Sequence, residues 1–132
     1  MENSPLLPYI LPRIQEITPN NGTVLDIMAG SNAVSYALKE FYTVYTNDIQ
    51  AYSHTISTAI IVNQTENISS TTAVDELLDN YKKNEVHKVY NFFEITYSST
   101  YFSQKQCSDI DSLRYAIDQI DNPIRKSLYL LH

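Results

Sequence analysis

The sequence predicts an α/β fold: a small parallel sheet flanked by helices, then a mainly helical C-terminal part. Three observations predict it. Residues 23–34, Thr-Val-Leu-Asp-Ile-Met-Ala-Gly-Ser-Asn-Ala-Val, read as strand, tight acidic turn and helix. A second acidic turn, Tyr45-Thr46-Asn47-Asp48-Ile49, follows one short helix later. Beyond Asn63 the apolar residues fall into helix-like periods. The reading is one incomplete domain over residues 1–132, with an α/β part at 1–63 and a mainly helical part at 64–132.

The elements follow in order. Residues 6–17 read as a short helix that Pro8 and Pro12 delay or kink, because proline lacks the amide proton. Pro19-Asn20-Asn21-Gly22 is a turn signal. Residues 23–27 are short, apolar and partly β-branched, as in a buried parallel strand. Ser31 or Asn32 can cap a helix running to about Phe41. Residues 43–46 form the next strand, and 50–63 a helix with Tyr52, Ile56, Ala59 and Ile60 along one side. Residues 64–72 are polar loop, and Thr72 can cap a helix from Ala73 into the Tyr81-Lys82-Lys83 region. Residues 89–100 fit a strand or the buried side of a helix. Residues 108–120 carry Ile110, Leu113, Ile117 and Ile120 at helical spacing. Asn122-Pro123 breaks that helix, and 124–131 begin another.

Composition narrows the function. A chain of 132 residues has the size of one domain, and an apolar fraction of 43% argues against global disorder. The formal charge of -6 argues against a protein that grips nucleic acid by itself, since phosphate binding relies on Lys and Arg. Cys107 is the single cysteine, so no internal disulfide forms, and no residues have zinc-ligand spacing. No apolar run is long enough for a bilayer, and Met1-Glu2-Asn3-Ser4-Pro5 is not a signal peptide. A cytoplasmic location is the expectation.

The two acidic turns carry the candidate chemistry. In α/β folds ligands bind outside the C-terminal ends of the strands. Gly30 lets the backbone pass close to a ligand without a Cβ in the way. The Asp26 carboxylate can accept from a bound group or from loop amides. Asp48, at the second strand end, can accept from ribose hydroxyls, and Ile49 can press on a base face. The competing reading is that both carboxylates merely cap loops. A triphosphate loop needs a glycine-rich cradle with Lys and Ser or Thr, and a dinucleotide site needs more glycines than Gly30. A nucleoside cofactor without phosphates fits better, and S-adenosylmethionine is the candidate.

Residues 25–35, Leu-Asp-Ile-Met-Ala-Gly-Ser-Asn-Ala-Val-Ser, resemble the cofactor loop of adenine-specific DNA methyltransferases of the Dam type. Tyr45-Thr46-Asn47-Asp48-Ile49 is similar to their second cofactor turn. Thr100-Tyr101-Phe102-Ser103, Gln106-Cys107 and residues 110–117 resemble the segment before their catalytic motif, and Leu6-Leu7-Pro8-Tyr9-Ile10 resembles their opening helix. The resemblance implies a partial Rossmann-like methyltransferase fold. It also implies that Asp26, Ala29 and Gly30 line the methionine side of S-adenosylmethionine, that Asp48 takes the ribose hydroxyls, and that Ile49 packs on the adenine. The implied activity is site-specific methylation of the adenine amino group in DNA, of the restriction–modification kind, on a base flipped from the duplex.

The sequence departs from that pattern in three places. It has no Asp-Pro-Pro-Tyr tetrapeptide, so no catalytic residue is assigned. Asn32 stands where the family has glycine, a position where Asn tolerates left-handed backbone but narrows the space near the ligand. Glu2-Asn3-Ser4-Pro5 stands where the family carries a Gly and a Lys. The reading is therefore the N-terminal cofactor-binding part or subunit, inactive alone. A second polypeptide would bring the catalytic motif and the DNA-recognition part. The alternative is a catalytically inactive methyltransferase-like protein acting as an interaction or regulatory module. The apolar run Leu128-Tyr129-Leu130-Leu131 fits a missing partner, self-association, or a helix packed on its own core. Arg114 can meet a DNA phosphate or pair with Asp111 or Asp118. Tyr97, Tyr101 and Phe102 can line a base pocket or pack a core.

Overall fold

Two short β-branched segments pair side by side. The computed structural model describes residues 5–131, Ser70 by its backbone alone. Strands β1 (Thr23–Asp26) and β2 (Thr43–Thr46) are parallel, with Thr23 opposite Thr43 and Asp26 opposite Thr46. The crossover carries helix α2 (Ala33–Leu38), as a parallel connection requires. Pairing continues past the strands. The amide of Asn47 donates to Asp26 O (2.8 Å), and that of Ala29 to Asn47 O (3.2 Å). The two acidic turns are thereby set side by side.

The full order is α1 (Leu7–Ile17), β1, α2, β2, α3 (Ala51–Ser57), a π-helical turn (Thr58–Val62), α4 (Ser70–His87), α5 (Phe92–Tyr97), α6 (Gln104–Asp118) and α7 (Pro123–Leu131). This is a Rossmann-like α/β region followed by an all-helical part. The chain forms two compact units that divide between Glu66 and Asn67. Among the described residues no helix is long and apolar enough to cross a membrane. Residues 2–4, where the sequence departs from the expected opening segment, lie outside the described ones.

In the first unit, α1 runs through Pro12; Pro8 sits in its first turn, where a missing amide proton costs no bond. The sheet alternates: Val24, Asp26, Val44 and Thr46 are half-buried, while Thr23, Leu25, Thr43 and Tyr45 face outward. Helix α2 ends at Leu38, short of the expected Phe41. Leu38 is enclosed, a burial worth about 1.5–3 kcal/mol. The predicted helix over 50–63 differs more. It opens into a π turn after Ser57, and its buried residues are Ser53, Ser57, Ala59 and Ile61, whereas Tyr52 is 57% exposed. The cause is polar. Ser57 and Thr46 share a hydroxyl hydrogen bond, and small serines let the helix sit close to the strand. Lys39 Nζ closes the π turn by donating to Ile60 O (2.7 Å) and Asn63 O (2.8 Å).

In the second unit, α4 starts three residues before the predicted Ala73, because Ser69 rather than Thr72 is its N-cap. Residues 89–100 resolve as helix α5 over Phe92–Tyr97. Helix α6 starts at Gln104 rather than Ser108, behind a capping box made by Ser103 and Gln106. Its buried face is Cys107, Asp111, Ser112, Tyr115, Ala116 and Ile117; of the predicted stripe only Ile117 is buried, and Leu113 is 45% exposed. Polar demand rotates the helix. The buried Asp111 carboxylate accepts from the amides of Phe93 (3.0 Å) and Glu94 (2.9 Å), the otherwise unpaired first turn of α5. Buried Asn84 accepts from Tyr90 N (2.7 Å) and donates to Tyr90 O and Ser112 Oγ. Asn122 caps α7 by accepting from Ile124 N (2.9 Å). Tyr129 is buried and its hydroxyl reaches Glu76 (2.6 Å), while Leu130 stays exposed.

Candidate functional site

The site is two turns at the ends of two adjacent parallel strands. After β1 the chain turns through Gly30, with φ of +51°, and Asn32, with φ of +61°; Asn32 N closes the turn onto Ala29 O (2.7 Å). Glycine and asparagine are the residues that tolerate this geometry. The left-handed conformation that the sequence allows at Asn32 is the one found.

Asp48 joins the turns. Its Oδ2 accepts from the amide of Gly30 (2.8 Å), and its Oδ1 from the amide of Gln50 (2.8 Å). The Gln50 and Gly30 amides hold the carboxyl below its ordinary range, so it stays ionised. The Ile49 amide adds to that effect, and the carboxylate keeps lone-pair capacity for another donor. Asp26 is anchored differently. Its Oδ2 accepts from Ser35 Oγ on α2 (2.7 Å), and its Oδ1 from Met28 N (3.4 Å). Ala29 is buried and presents mainly backbone. Ile49 is 97% exposed, an aliphatic side chain standing free beside Asp48.

Asn32 was expected to narrow the ligand space, and its side chain turns elsewhere. It is 0% exposed, and its Nδ2 donates to Ser53 O (3.1 Å), Ser53 Oγ (3.3 Å) and Gly30 O (3.3 Å). Its Oδ1 is enclosed with no donor, an arrangement that costs about 1–3 kcal/mol. A Cβ placed on Gly30 meets nothing within 4 Å. Open space therefore lies beside the glycine, whose amide is bonded to Asp48. A nucleoside-bearing ligand with hydroxyls and a charged end suits that combination. A broad depression of about 770 Å³ lies elsewhere in this unit, lined by Leu7, Ala33, Tyr36, Ala37, Lys39, Glu40 and Ile60. None of the five predicted residues lines it, so the site stands on the turn geometry.

Gly30 and Asp48 are joined directly and Ala29 through Asn47, while Asp26 faces α2 and Ile49 faces solvent. Sequence reasoning missed Ser35 and Ser53 as anchors. Of the other candidates, Arg114 and Cys107 take structural places. Arg114 pairs with Asp118 (2.8 Å). Cys107 is buried, and that burial, with nearby Asp111 and Glu94, pushes its thiol up. Tyr97 and Tyr101 join a chain of ring contacts with Phe92 and Phe93, and Tyr101 is exposed. Among the described residues no acidic, His or Cys group is arranged to hold a metal ion.

The profile of the D12 class N6 adenine-specific DNA methyltransferases matches residues 9–131. The chain belongs to that family. It is 30% identical over 131 residues to the modification methylase StsI of Streptococcus sanguinis, a match covering 89% of this chain and 19% of that protein. It is 29% identical over 107 residues to the type II methyltransferase M2.HphI of Haemophilus parahaemolyticus, covering 80% of this chain and 30% of that protein. The chain thus spans less than a third of either relative. No solved structure matches it. As in the family, S-adenosylmethionine is the expected cofactor, and the open space at Gly30 is compatible with it.

Proposed function

We propose that this chain is the cofactor-binding portion of an adenine-specific DNA methyltransferase of the Dam type, working in the cytoplasm. The observation that carries the reading is the bond from Gly30 N to Asp48 Oδ2, which ties the two strand-end turns together. Asp26, Ala29 and Gly30 would take the methionine half of the cofactor. Asp48, held ionised by backbone amides, would accept from the ribose hydroxyls through charge-assisted bonds. Ile49 would cover one face of the adenine, which accounts for an aliphatic side chain left in water. Bound S-adenosylmethionine supplies an electrophilic methyl group for the adenine amino nitrogen of DNA.

The chain contains no Asp-Pro-Pro-Tyr sequence, so the contacts to the target amino group are assigned to another segment or polypeptide. That partner would also supply the basic DNA surface, which a chain of charge -6 lacks. The first test is calorimetric titration of the chain with S-adenosylhomocysteine, ATP and NAD. Binding of the methionine-derived ligand alone is expected; heat with ATP or NAD and none with it would reverse the assignment. The second test mixes the chain with a companion polypeptide carrying Asp-Pro-Pro-Tyr and follows labelled methyl transfer to duplex DNA. Transfer by the mixture and none by either part is expected. Failure of the mixture to bind cofactor and label DNA would favour the inactive interaction module.

A further inference from the structure

We propose that Asn32 is a positioning residue: its buried carboxamide locks the Gly30 turn onto α3, fixing the loop that faces the methionine half of the cofactor before any ligand arrives. The inference rests on the cofactor reading above and adds a residue to it. Gly30 has more backbone freedom than any residue with a side chain. Here both polar ends of its own residue are pinned. Its N–H goes to Asp48 (2.8 Å), and its carbonyl receives Asn32 Nδ2 (3.3 Å). The same Nδ2 donates to the carbonyl (3.1 Å) and hydroxyl (3.3 Å) of Ser53, a buried residue of α3. Helix α3 follows directly on the Asp48 turn, whose Oδ1 accepts from Gln50 N. The two turns are therefore cross-linked twice, once through Asp48 and once through Asn32 and Ser53.

The orientation of the amide supports a donor role. Turning it over would set Oδ1 against two carbonyl oxygens, which cannot donate, so Nδ2 faces them and Oδ1 is left without a donor. The side chain leaves the ligand space clear, since nothing lies within 4 Å of a Cβ built on Gly30. A glycine at position 32 would adopt the same φ of +61° but carry no clamp. A side chain thus fixes here what a glycine leaves to backbone alone.

The test compares S-adenosylhomocysteine with 5′-methylthioadenosine, which shares the nucleoside and lacks the amino-acid end. Calorimetry on Asn32→Gly should show affinity for the first falling about tenfold, the scale of a lost hydrogen bond or two, with the second changing less than about twofold. Asn32→Asp, which keeps the volume but turns an acceptor toward the carbonyls, should lose at least as much. A merely structural role would weaken both ligands together, and that parallel loss, or no loss, overturns the proposal. If the wild-type chain binds neither ligand, the cofactor reading falls and the proposal with it. If it binds both and the variants match it, the proposal alone falls. Should neither variant fold, exchange of the Asn32 side-chain NH2 protons in the free wild-type chain remains. Slow exchange there is expected; exchange at the rate of an exposed carboxamide overturns the proposal.

Discussion

The two units tie their helices down with different chemistry. Before Asn67 the only cations are Arg13 and Lys39, and the carboxylates that matter bond to neutral donors: Asp26 to Ser35, and Asp48 to the Gly30 and Gln50 amides. After it, ion pairs dominate: Lys88 with Glu94, Lys105 with Asp109, Arg114 and Lys126 with Asp118, and Arg125 with Glu76. The buried Asp111 there is consumed by the first turn of α5. The contrast separates carboxylates that hold structure from carboxylates that also remain available. A cation partner occupies a carboxylate, and burial closes Asp111 to any further donor although, like Asp48, it takes one backbone amide on each oxygen. At the strand ends the amide-bound carboxylate is only half-buried and keeps capacity for another donor.

The sharpest way to break this comparison is to remove one carboxylate from each unit. Asp48→Ala should lower affinity for S-adenosylhomocysteine about a hundredfold or more, because it removes a charged acceptor and frees the Gly30 turn. Calorimetric titration checks it. Asp111→Ala should instead destabilise the fold by about 2 kcal/mol or more, since two buried amides lose their partner. Denaturant unfolding followed by circular dichroism checks that, and the folded variant should bind the ligand as the wild type does. Equal effects of the two substitutions on binding would erase the distinction between the units.

Much of the scaffold was legible because its signals are local. The β2 strand at 43–46 and the turn after β1 follow from β-branched runs and turn residues. The start of α6, expected at Ser108, was missed: its signal is Ser103 with Gln106 at capping-box spacing, which apolar periodicity passes over. What was hidden is the burial of polar side chains. Hydrophobic periodicity puts Tyr52 inward and Leu113 into a core, whereas Ser53, Ser57, Asp111 and Ser112 take those faces through hydrogen bonds made far along the chain. The same holds at the site. Asp26, Gly30 and Asp48 can be picked from the sequence, but the bond from Gly30 to Asp48 needs the strand register. The reach of Asn32 to Ser53 needs the path of α3.

Acid and salt sharpen the comparison with smaller effects. The folded-state pKa of Asp48 lies below its ordinary value, through the Gln50 and Gly30 amides. Its contribution is therefore present above the ordinary aspartate pKa of about 3.9 and is lost as pH falls through the lower folded value. Ligand binding should persist down to that range and fail below it, with the Gly30 amide signal shifting in step. Glu76 and Glu94 are also held low, by Arg125 and Tyr129 and by Lys88 and Gln104, so acid weakens both units. Salt separates them. At about 1 M the exposed pairs of the helical unit are screened while the amide bonds to Asp48 persist, so ligand affinity should fall less than helical-unit stability. The smallest effect expected is at Cys107. Enclosed, with its thiol pushed up by burial, it should react with a disulfide reagent only as fast as the helical unit opens, and reaction at the rate of a free thiol would show that this packing is wrong.

The two joined turns at the ends of β1 and β2 are proposed to take the cofactor. The most direct measurement is an amide-resolved NMR titration of the chain with S-adenosylhomocysteine. Saturable shifts are expected at Asp26, Ala29, Gly30, Asp48 and Ile49, with the helical unit unmoved. Saturable shifts centred outside those two turns, or none at any ligand concentration, would contradict the proposal.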